Sequence, residues 1–246
     1  MNIFITGVSS GLGKALAAEF LHDNHNVWAV ARRKIADWDT NKDLQSNKNF
    51  RYMICDVSIS SDVEKVCKMM MDEQFIPDIV ILNAGIMEND LEEDFLYSVF
   101  YKIYQINLFG AITWIDAFLP AFIKRNCGTF VAISSLFSYR GLNSKKMAYV
   151  GSKAALNMTF ECFRLHLLST GVRFITVNPG RMVGSKDGNG LMRITYKSAA
   201  KKIAGHILSK RSANILDFPF ISSAITKILR VMPDFIVAKV IKFYRG

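Results

Sequence analysis

The sequence predicts an α/β fold, in which a doubly wound parallel sheet of about seven strands carries helices on both faces. Short apolar runs alternate with amphipathic stretches from the first residue onward. The apolar runs lack the polar alternation of a half-exposed strand, so we expect helices to cover both faces of the sheet. The length of 246 residues suits one large domain, since no linker or internal repeat divides the chain.

The predicted strands and helices alternate along the whole chain. We expect strands at 2–6, 26–31, 51–55, 78–82, 128–134 and 172–177, with a weaker one at 213–217. Helices are predicted at about 11–23, 60–74, 95–124, 148–169 and 198–209, and again in the last thirty residues. Ligands of such folds bind beyond the carboxyl ends of the strands, so functional residues are expected there.

The composition argues against several classes of protein. Hydrophobic residues make up 50% and charged residues 21%, as in an ordinary globular domain. The four cysteines form no CxxC pair and share no ligand spacing with the four histidines, so neither a disulfide framework nor a metal site is expected. We find no signal peptide and no uncharged apolar run of roughly 20 residues, and therefore expect a cytoplasmic protein.

The net charge of +10 is concentrated near the end of the chain. The last fifty residues contain ten Lys or Arg and only two acids, Asp217 and Asp234. This asymmetry favours an acidic partner, such as a phosphorylated substrate or a membrane surface. The sequence contains no nucleic-acid-binding motif, so no nucleic-acid partner is expected.

A glycine-rich turn follows the first predicted strand. The stretch TGVSSGLGKALAAEF has the spacing Thr-Gly-x-x-x-Gly-x-Gly, with Gly7, Gly11 and Gly13 at the strand-to-helix turn. Glycines let the backbone bend sharply and approach a ligand closely. The N–H groups and the positive dipole of the next helix suit a pyrophosphate. The turn is therefore predicted to cradle the phosphates of a dinucleotide.

The end of the second strand predicts which dinucleotide binds. In this fold an acidic residue there holds the ribose hydroxyls of NAD, whereas arginine pairs with the 2′-phosphate of NADP. The sequence reads NVWAVARRK and contains no carboxylate before Asp37. Arg32 and Arg33 therefore predict NADP(H), with Arg32 as the expected clamp; a solvated basic loop is the alternative.

Tyr149 and Lys153 are four residues apart in AYVGSKAAL and share one face of the predicted helix. Together with the glycine turn and the NAG triplet at 83–85, this Tyr-x-x-x-Lys pair resembles the short-chain dehydrogenases/reductases of the compact type. The CDV, ISS and NPG triplets at 55–57, 133–135 and 178–180 and Asn107 match in the same order. The resemblance covers about residues 1–185.

The resemblance implies a Rossmann-like single domain that interconverts a carbonyl and an alcohol with a nicotinamide cofactor. The implied catalytic residues are Asn107, which would hold a water in a proton relay, Ser135, Tyr149 as the general acid/base, and Lys153. The implied cofactor-binding residues are Gly7, Ser9, Ser10, Gly11, Leu12, Gly13, Arg32, Arg33, Asp56, Val57, Asn83, Ala84, Gly85, Tyr149, Lys153, Pro179, Gly180 and Met182. The resemblance also implies a homodimer formed through the helices at 95–124 and 148–169.

The sequence departs from the family pattern at two places. The interval from Ser135 to Tyr149 is one residue longer than usual, which leaves Ser134 as an alternative to Ser135. The threonine that often contacts the cofactor is replaced by Gly184, and Ser185 is the nearest hydroxyl.

The position of Lys153 also predicts the direction in which the pKa of Tyr149 shifts. A free phenol has a pKa of about 10, too high for proton transfer near neutral pH. A unit charge about 4 Å away contributes roughly 4 kcal/mol at an effective dielectric of about 20, equivalent to about three pKa units. We therefore expect Lys153, with the oxidised nicotinamide, to lower the pKa of Tyr149.

Two further segments have simple interpretations. The acids of ENDLEEDF, residues 88–95, are expected to form a solvated cap at the start of the long helix that follows. The segment 185–210 is predicted to be a lid over the substrate, lined by Leu191, Met192, Ile194 and Tyr196. Its mostly apolar lining favours a lipophilic substrate.

The apolar and basic segment 214–246 allows two interpretations. Its helices either roof the substrate site or pack on a second subunit, or they form a peripheral membrane contact through an apolar face and basic residues. We expect an NADP(H)-dependent oxidoreductase. The alternatives are a non-catalytic NADP(H) sensor and a sugar-nucleotide enzyme of the extended type, which the lack of a separate substrate domain disfavours.

Overall fold

The computed structural model describes residues 1–34, 44, 46–142, 145–209 and 211–245, without the side chains of residues 185 and 240–245. The strands are β1 (Asn2–Thr6), β2 (Asn26–Ala31), β3 (Phe50–Ile54), β4 (Ile79–Leu82), β5 (Gly128–Ile133), β6 (Val172–Pro179), β7 (Arg181–Val183), β8 (Arg193–Thr195) and β9 (Ile215–Phe218). The α-helices are α1 (Gly11–His22), α2 (Ser60–Asp72), α3 (Tyr97–Tyr104), α4 (Gly110–Lys124), α5 (Met147–His166), α6 (Tyr196–Leu208), α7 (Phe220–Val231) and α8 (Asp234–Arg245).

Seven strands form one parallel sheet in the order β3-β2-β1-β4-β5-β6-β9. The chain winds outward from β1 in both directions, as a doubly wound fold requires. All seven predicted strands lie in this sheet, including the weak one near 213–217, so the predicted fold class is confirmed. The short strands β7 and β8 pair separately, between β6 and α6.

Successive residues of the central strands pack on opposite faces of the sheet. In β1, Ile3 and Ile5 join the core beneath α1 and α6, whereas Phe4 joins the core beneath α2, α4 and α5. A strand alternates its side chains between two faces, so a strand buried on both must be apolar throughout. This explains the continuous apolar runs in the sequence.

The helix predicted at 95–124 is continuous but irregular. A π-helical turn at Gln105–Phe109 joins α3 to α4 and contains Asn107. Of the described residues, only the stretch Tyr97–Lys124 is long and apolar enough to cross a membrane by length and composition. Trp114 of this stretch is fully buried, with its ring centroid 4.4 Å from that of Phe4. Its burial against the sheet is typical of a core helix.

Thr6 joins the carboxyl ends of β1 and β4. Its hydroxyl oxygen accepts hydrogen bonds from the backbone N–H groups of Asn83, at 3.0 Å, and Ala84, at 2.9 Å. The Asn83 amide in turn donates to the carbonyl oxygens of Thr6 and Gly7, each at 3.0 Å. These bonds hold the segment after β4 against the turn after β1, where the functional residues were predicted.

Replacing Thr6 with valine tests this junction. Thr6→Val keeps the side-chain shape but leaves two half-buried N–H groups without their acceptor, so we expect a loss of about 2 kcal/mol in the free energy of unfolding. The control is Thr113→Val, since the Thr113 hydroxyl donates only to the carbonyl of Phe109 in its own helix. Denaturant unfolding of both variants measures the difference, and equal stabilities would contradict the role given to Thr6.

Candidate active site

The glycine turn after β1 has the geometry of a phosphate cradle. Gly7 and Gly11 have φ angles of +74° and +57°, which favour glycine. A Cβ at Gly13 would lie 2.2 Å from the carbonyl oxygen of Gly7, so only glycine allows this close approach. The Ser10 side chain makes no capping bond at the start of α1, and the first turn contains no acid. The N–H groups of this helix end are thus suited to an anion.

The structure brings Arg33, not Arg32, into contact with the glycine turn. The Arg33 guanidinium donates to the Ser9 hydroxyl from Nε at 3.2 Å and from Nη2 at 3.0 Å. Arg32 is exposed beside it. Leu12, also predicted in the cofactor site, packs its side chain in the core, so only its backbone faces the turn.

The ends of β3 and β4 place five more predicted residues at the same edge of the sheet. Asp56 follows β3, and its carboxylate accepts bonds from the Ser58 N–H at 3.0 Å and the Ser58 hydroxyl at 2.6 Å. Val57 is buried against Gly110. Asn83 and Ala84 form the junction with Thr6, and Gly85 leads toward the catalytic residues: a Cβ there would lie 3.4 Å from Lys153 Nζ.

Asn107 has a structural role that the sequence did not predict. Its Oδ1 accepts from the Ile86 N–H at 2.8 Å, and its Nδ2 donates to the Ile86 carbonyl at 2.9 Å. Nδ2 also lies 3.2 Å from the Ser152 hydroxyl oxygen. The side chain predicted to hold a water is therefore engaged with protein groups, and it joins the loop after β4 to the helix of the tyrosine.

The two serines after β5 have different partners. Ser134 donates from its hydroxyl to the Lys153 carbonyl at 3.1 Å and so anchors α5. The Ser135 hydroxyl oxygen accepts from the Phe137 N–H at 3.2 Å, and the Ser135 side chain is close enough to the Tyr149 phenol to lower its pKa. Ser135 is therefore the serine beside the tyrosine, and Ser134 is a structural residue.

Tyr149 and Lys153 lie one turn apart on α5, with Lys153 nearly fully buried. Lys153 Nζ donates to the carbonyl of Ile133 at the end of β5, at 2.7 Å. Burial lowers the pKa of Lys153 to about 8. Its ammonium is thus held at the carboxyl edge of the sheet, between β5 and Gly85.

The pKa of Tyr149 shifts in the opposite direction from the one predicted. Burial raises the pKa of the phenol, and the hydrogen bond with Ser135 opposes this shift only in part. Loss of hydration disfavours the phenolate, and Lys153 directs its ammonium to a carbonyl oxygen. In these surroundings Tyr149 is a neutral acid whose proton is available for donation.

The residues after β6 close the same edge. Pro179 lies opposite Phe218 in the sheet, and the Gly180 N–H donates to the Phe218 carbonyl at 2.7 Å. Met182 pairs with Ile194 between β7 and β8. The side chain of Ser185, the expected substitute for the missing threonine, lies outside the described part of the chain. Within that part, no cluster of three His, Cys, Asp or Glu residues could hold a metal.

Comparison with known proteins identifies the family. The family model described as short chain dehydrogenase matches residues 1–187. This chain belongs to that family. Its members are oxidoreductases that bind a nicotinamide cofactor, and the glycine cradle and open helix end after β1 fit such a group.

Individual relatives are distant. The chain is 29% identical over 180 residues to a probable oxidoreductase, EphD, of Mycobacterium tuberculosis, covering 72% of this chain and 30% of that protein. It is 28% identical over 179 residues to an NADPH-dependent pterin aldehyde reductase of Arabidopsis thaliana, covering 72% and 73%. A short-chain dehydrogenase structure from Streptomyces avermitilis has a TM-score of 0.82 at 20% identity, covering 99% and 96%, which shows the shared fold.

The four residues predicted to line a lid have different surroundings. Leu191 and Met192 are exposed, whereas Ile194 and Tyr196 pack against the core beneath α1 and α6. The Tyr196 ring lies against the glycine turn, since a Cβ at Gly11 would be 3.5 Å from its Cε1. Tyr196 therefore lies beside the candidate phosphate cradle.

Asp90 has a structural role that the sequence analysis missed. It was included in the solvated acidic cap, but its side chain is fully buried. One carboxylate oxygen accepts from the Met147 N–H at 2.9 Å, and the other accepts from the Ala148 N–H. Asp90 therefore caps α5, two residues before the tyrosine. The sequence signal was weak, because the capping residue is 57 positions away from its helix.

Substituting Asp90 tests whether this cap stabilises the start of α5. Asp90→Ala leaves one buried and one half-buried N–H group unpaired there, and we expect a loss of about 1–3 kcal/mol in stability. The control is Asp94→Ala, an exposed acid of the same segment, for which we expect less than about 0.5 kcal/mol. Urea unfolding compares the two variants. Equal effects would show that the cap contributes little.

Proposed function

We propose that this protein is an NADP(H)-dependent oxidoreductase that interconverts a carbonyl and an alcohol by hydride transfer. The observation that carries the proposal is the placement of Ser135, Tyr149 and Lys153 at the sheet edge that also contains the glycine cradle: Lys153 lies one turn beyond Tyr149 on α5, and Ser135 acts on the Tyr149 phenol. A proton donor, a second hydroxyl and a cation thus surround one point beside the dinucleotide site.

Each residue has a defined role in the reductive direction. The bound cofactor supplies hydride to the carbonyl carbon. Tyr149, neutral because its pKa is raised, donates its proton to the carbonyl oxygen, and the Ser135 hydroxyl donates a hydrogen bond to the developing alkoxide. Lys153 supplies a positive charge next to the phenolate that remains. Asn107 fixes the loop and helix that hold these groups in place.

Preference for NADP(H) is supported by the basic end of β2. The Arg33 guanidinium is hydrogen-bonded to the Ser9 hydroxyl of the glycine turn, and Arg32 is exposed beside it. A 2′-phosphate bound there would contact two guanidinium groups. The Arabidopsis relative is an NADPH-dependent enzyme by name, which agrees with this assignment.

A lipophilic substrate and a homodimer are the other parts of the proposal. Apolar side chains at the substrate side of the site remain exposed, including Phe137, Met147, Leu191 and Met192. Exposed apolar residues also lie on the two helices predicted to pair between subunits, namely Tyr97 and Tyr101 on α3 and Met158 and Leu165 on α5. Such surfaces suit contact with an apolar ligand and with a second copy, respectively.

The phenol of Tyr149 provides the decisive test of turnover. We expect Tyr149→Phe to retain the fold and NADPH binding but to lower kcat by about 10²-fold or more, because the proton donor is lost. The assay follows NADPH consumption against long-chain 3-oxoacyl thioesters, retinoid and steroid carbonyls, small aromatic ketones and keto-sugars.

Tyr101→Phe, which removes an exposed hydroxyl, is the matched control and should behave as the unmodified protein. Equal turnover by both variants would remove Tyr149 from the mechanism. Tight NADPH binding without turnover of any panel member would favour the sensor alternative.

Cofactor preference is tested at the two arginines. Arg33→Ala is expected to weaken NADPH binding by about 10–100-fold while leaving NADH binding nearly unchanged, because only NADPH has the 2′-phosphate. Fluorescence titration with each cofactor measures both constants. Arg32→Ala is the paired variant, and a larger loss of NADPH affinity in that variant would show that Arg32 is the main ligand of the 2′-phosphate. The control Lys65→Ala removes an exposed cation of α2.

A further inference from the structure

Helix α7 presents its apolar side chains to solvent and its small polar ones to the protein. Ser223 and Thr226 are 6% and 8% exposed, whereas Phe220, Ile228 and Val231 are 83%, 54% and 81% exposed. Ile228 follows Thr226 by two residues, which places it on nearly the opposite side of a helix with 3.6 residues per turn. A surface helix normally shows the reverse arrangement, with its apolar stripe toward the core.

The exposed apolar side chains continue on both sides of α7. Phe235 of α8 follows Val231 by four residues, and the lid residues Leu191 and Met192 are joined to α7 by a hydrogen bond of 3.4 Å from the Ser222 hydroxyl to the Met192 carbonyl. We call this the C-terminal apolar surface: Leu191, Met192, Phe220, Ile225, Ile228, Val231 and Phe235. Large exposed apolar side chains concentrated on one helix and the segments next to it are typical of an interaction site.

The part of the chain that carries this surface is strongly basic. From Arg181 to Lys239, the described residues include two exposed acids, Asp187 and Asp234, and the latter forms an ion pair with Arg140. The exposed cations of the same range are Arg181, Lys186, Arg193, Lys197, Lys201, Lys202, Arg211, Lys227, Arg230 and Lys239, of which Lys227 is paired with Asp217. Two copies of the chain joined through this surface would bring these like charges together, which opposes self-association there.

We propose that the C-terminal apolar surface docks the protein on an anionic lipid bilayer. Phenylalanine and aliphatic side chains on one face of a helix enter the boundary between headgroups and acyl chains, and the surrounding lysines and arginines are attracted to acidic headgroups. The lid belongs to the same surface, so docking places the substrate side of the protein at the lipid. The proposal rests on surface chemistry and stands independently of the enzymatic activity.

Vesicle flotation tests the proposal directly. The full chain is mixed at low salt with vesicles of phosphatidylcholine and phosphatidylglycerol, and in parallel with vesicles of phosphatidylcholine alone. We expect flotation with the mixed vesicles, loss of flotation at high salt, and much weaker binding to phosphatidylcholine alone. Failure to float with the mixed vesicles, or equal flotation with both compositions, would overturn the proposal.

A double variant locates the docking surface. Ile228→Ser with Val231→Ser removes two exposed apolar side chains and is expected to lower the bound fraction about 10-fold or more. The matched control, Met71→Ser with Ile76→Ser, removes two exposed apolar residues elsewhere and should float as the unmodified chain. Circular dichroism verifies that both variants are folded.

Equal flotation of the two double variants would contradict the assignment. A lipid-free dimer that is abolished only by the first double variant, as measured by light scattering, would assign the surface to a second copy and overturn the bilayer proposal.

Discussion

The amide of Asn107 makes the hydrogen bonds on which the arrangement of the candidate catalytic residues most depends. It spans the N–H and carbonyl of Ile86 and reaches the Ser152 hydroxyl, which itself donates to the Tyr149 carbonyl at 2.9 Å. One side chain thus connects the loop after β4, the π-helical turn and α5. Because the amide is buried, each of its bonds would be costly to lose, and this favours a single relative position of the three segments.

Other buried bonds complete this arrangement from the ends of the elements. Asp90 accepts hydrogen bonds from the first N–H groups of α5, and the Ser134 hydroxyl donates to the carbonyl of Lys153. Lys153 Nζ donates to the last carbonyl of β5. Without its protein partner, each of these polar groups would need a hydrogen bond with water, and burial excludes water. Tyr149 therefore lies between a capped helix end and an anchored lysine.

The sheet and the glycine turn could be predicted from the sequence because their signals are local. Strands buried on both faces must be apolar throughout, and Gly7, Gly11 and Gly13 occupy positions where a side chain would strain or block the turn. The partners of Asp90, Asn107 and Arg33 could not be predicted, because each bond joins residues more than twenty positions apart. The direction of the Tyr149 pKa shift was wrong for a related reason: spacing places Lys153 beside the phenol, but burial and the lysine's carbonyl partner follow only from the fold.

A buried carboxylate joins helix α7 to the interior of the molecule. Asp217, at the end of β9, is almost fully buried and needs donors; it receives hydrogen bonds from Asn178 and Tyr139 and an ion pair with Lys227 of α7. Burial and the Asp217 carboxylate raise the pKa of Tyr139 to about 12, so the phenol stays protonated and remains a donor to that carboxylate.

The same network reaches the loop of Ser135 and the rest of α7. The Arg230 guanidinium lies 5.6 Å from the centroid of the Tyr139 ring, while Ile228 and Val231 remain exposed. Tyr139 ends the 3₁₀ turn that begins directly after Ser135. The buried Asp217 carboxylate thus links the loop after Ser135 to the C-terminal helix α7.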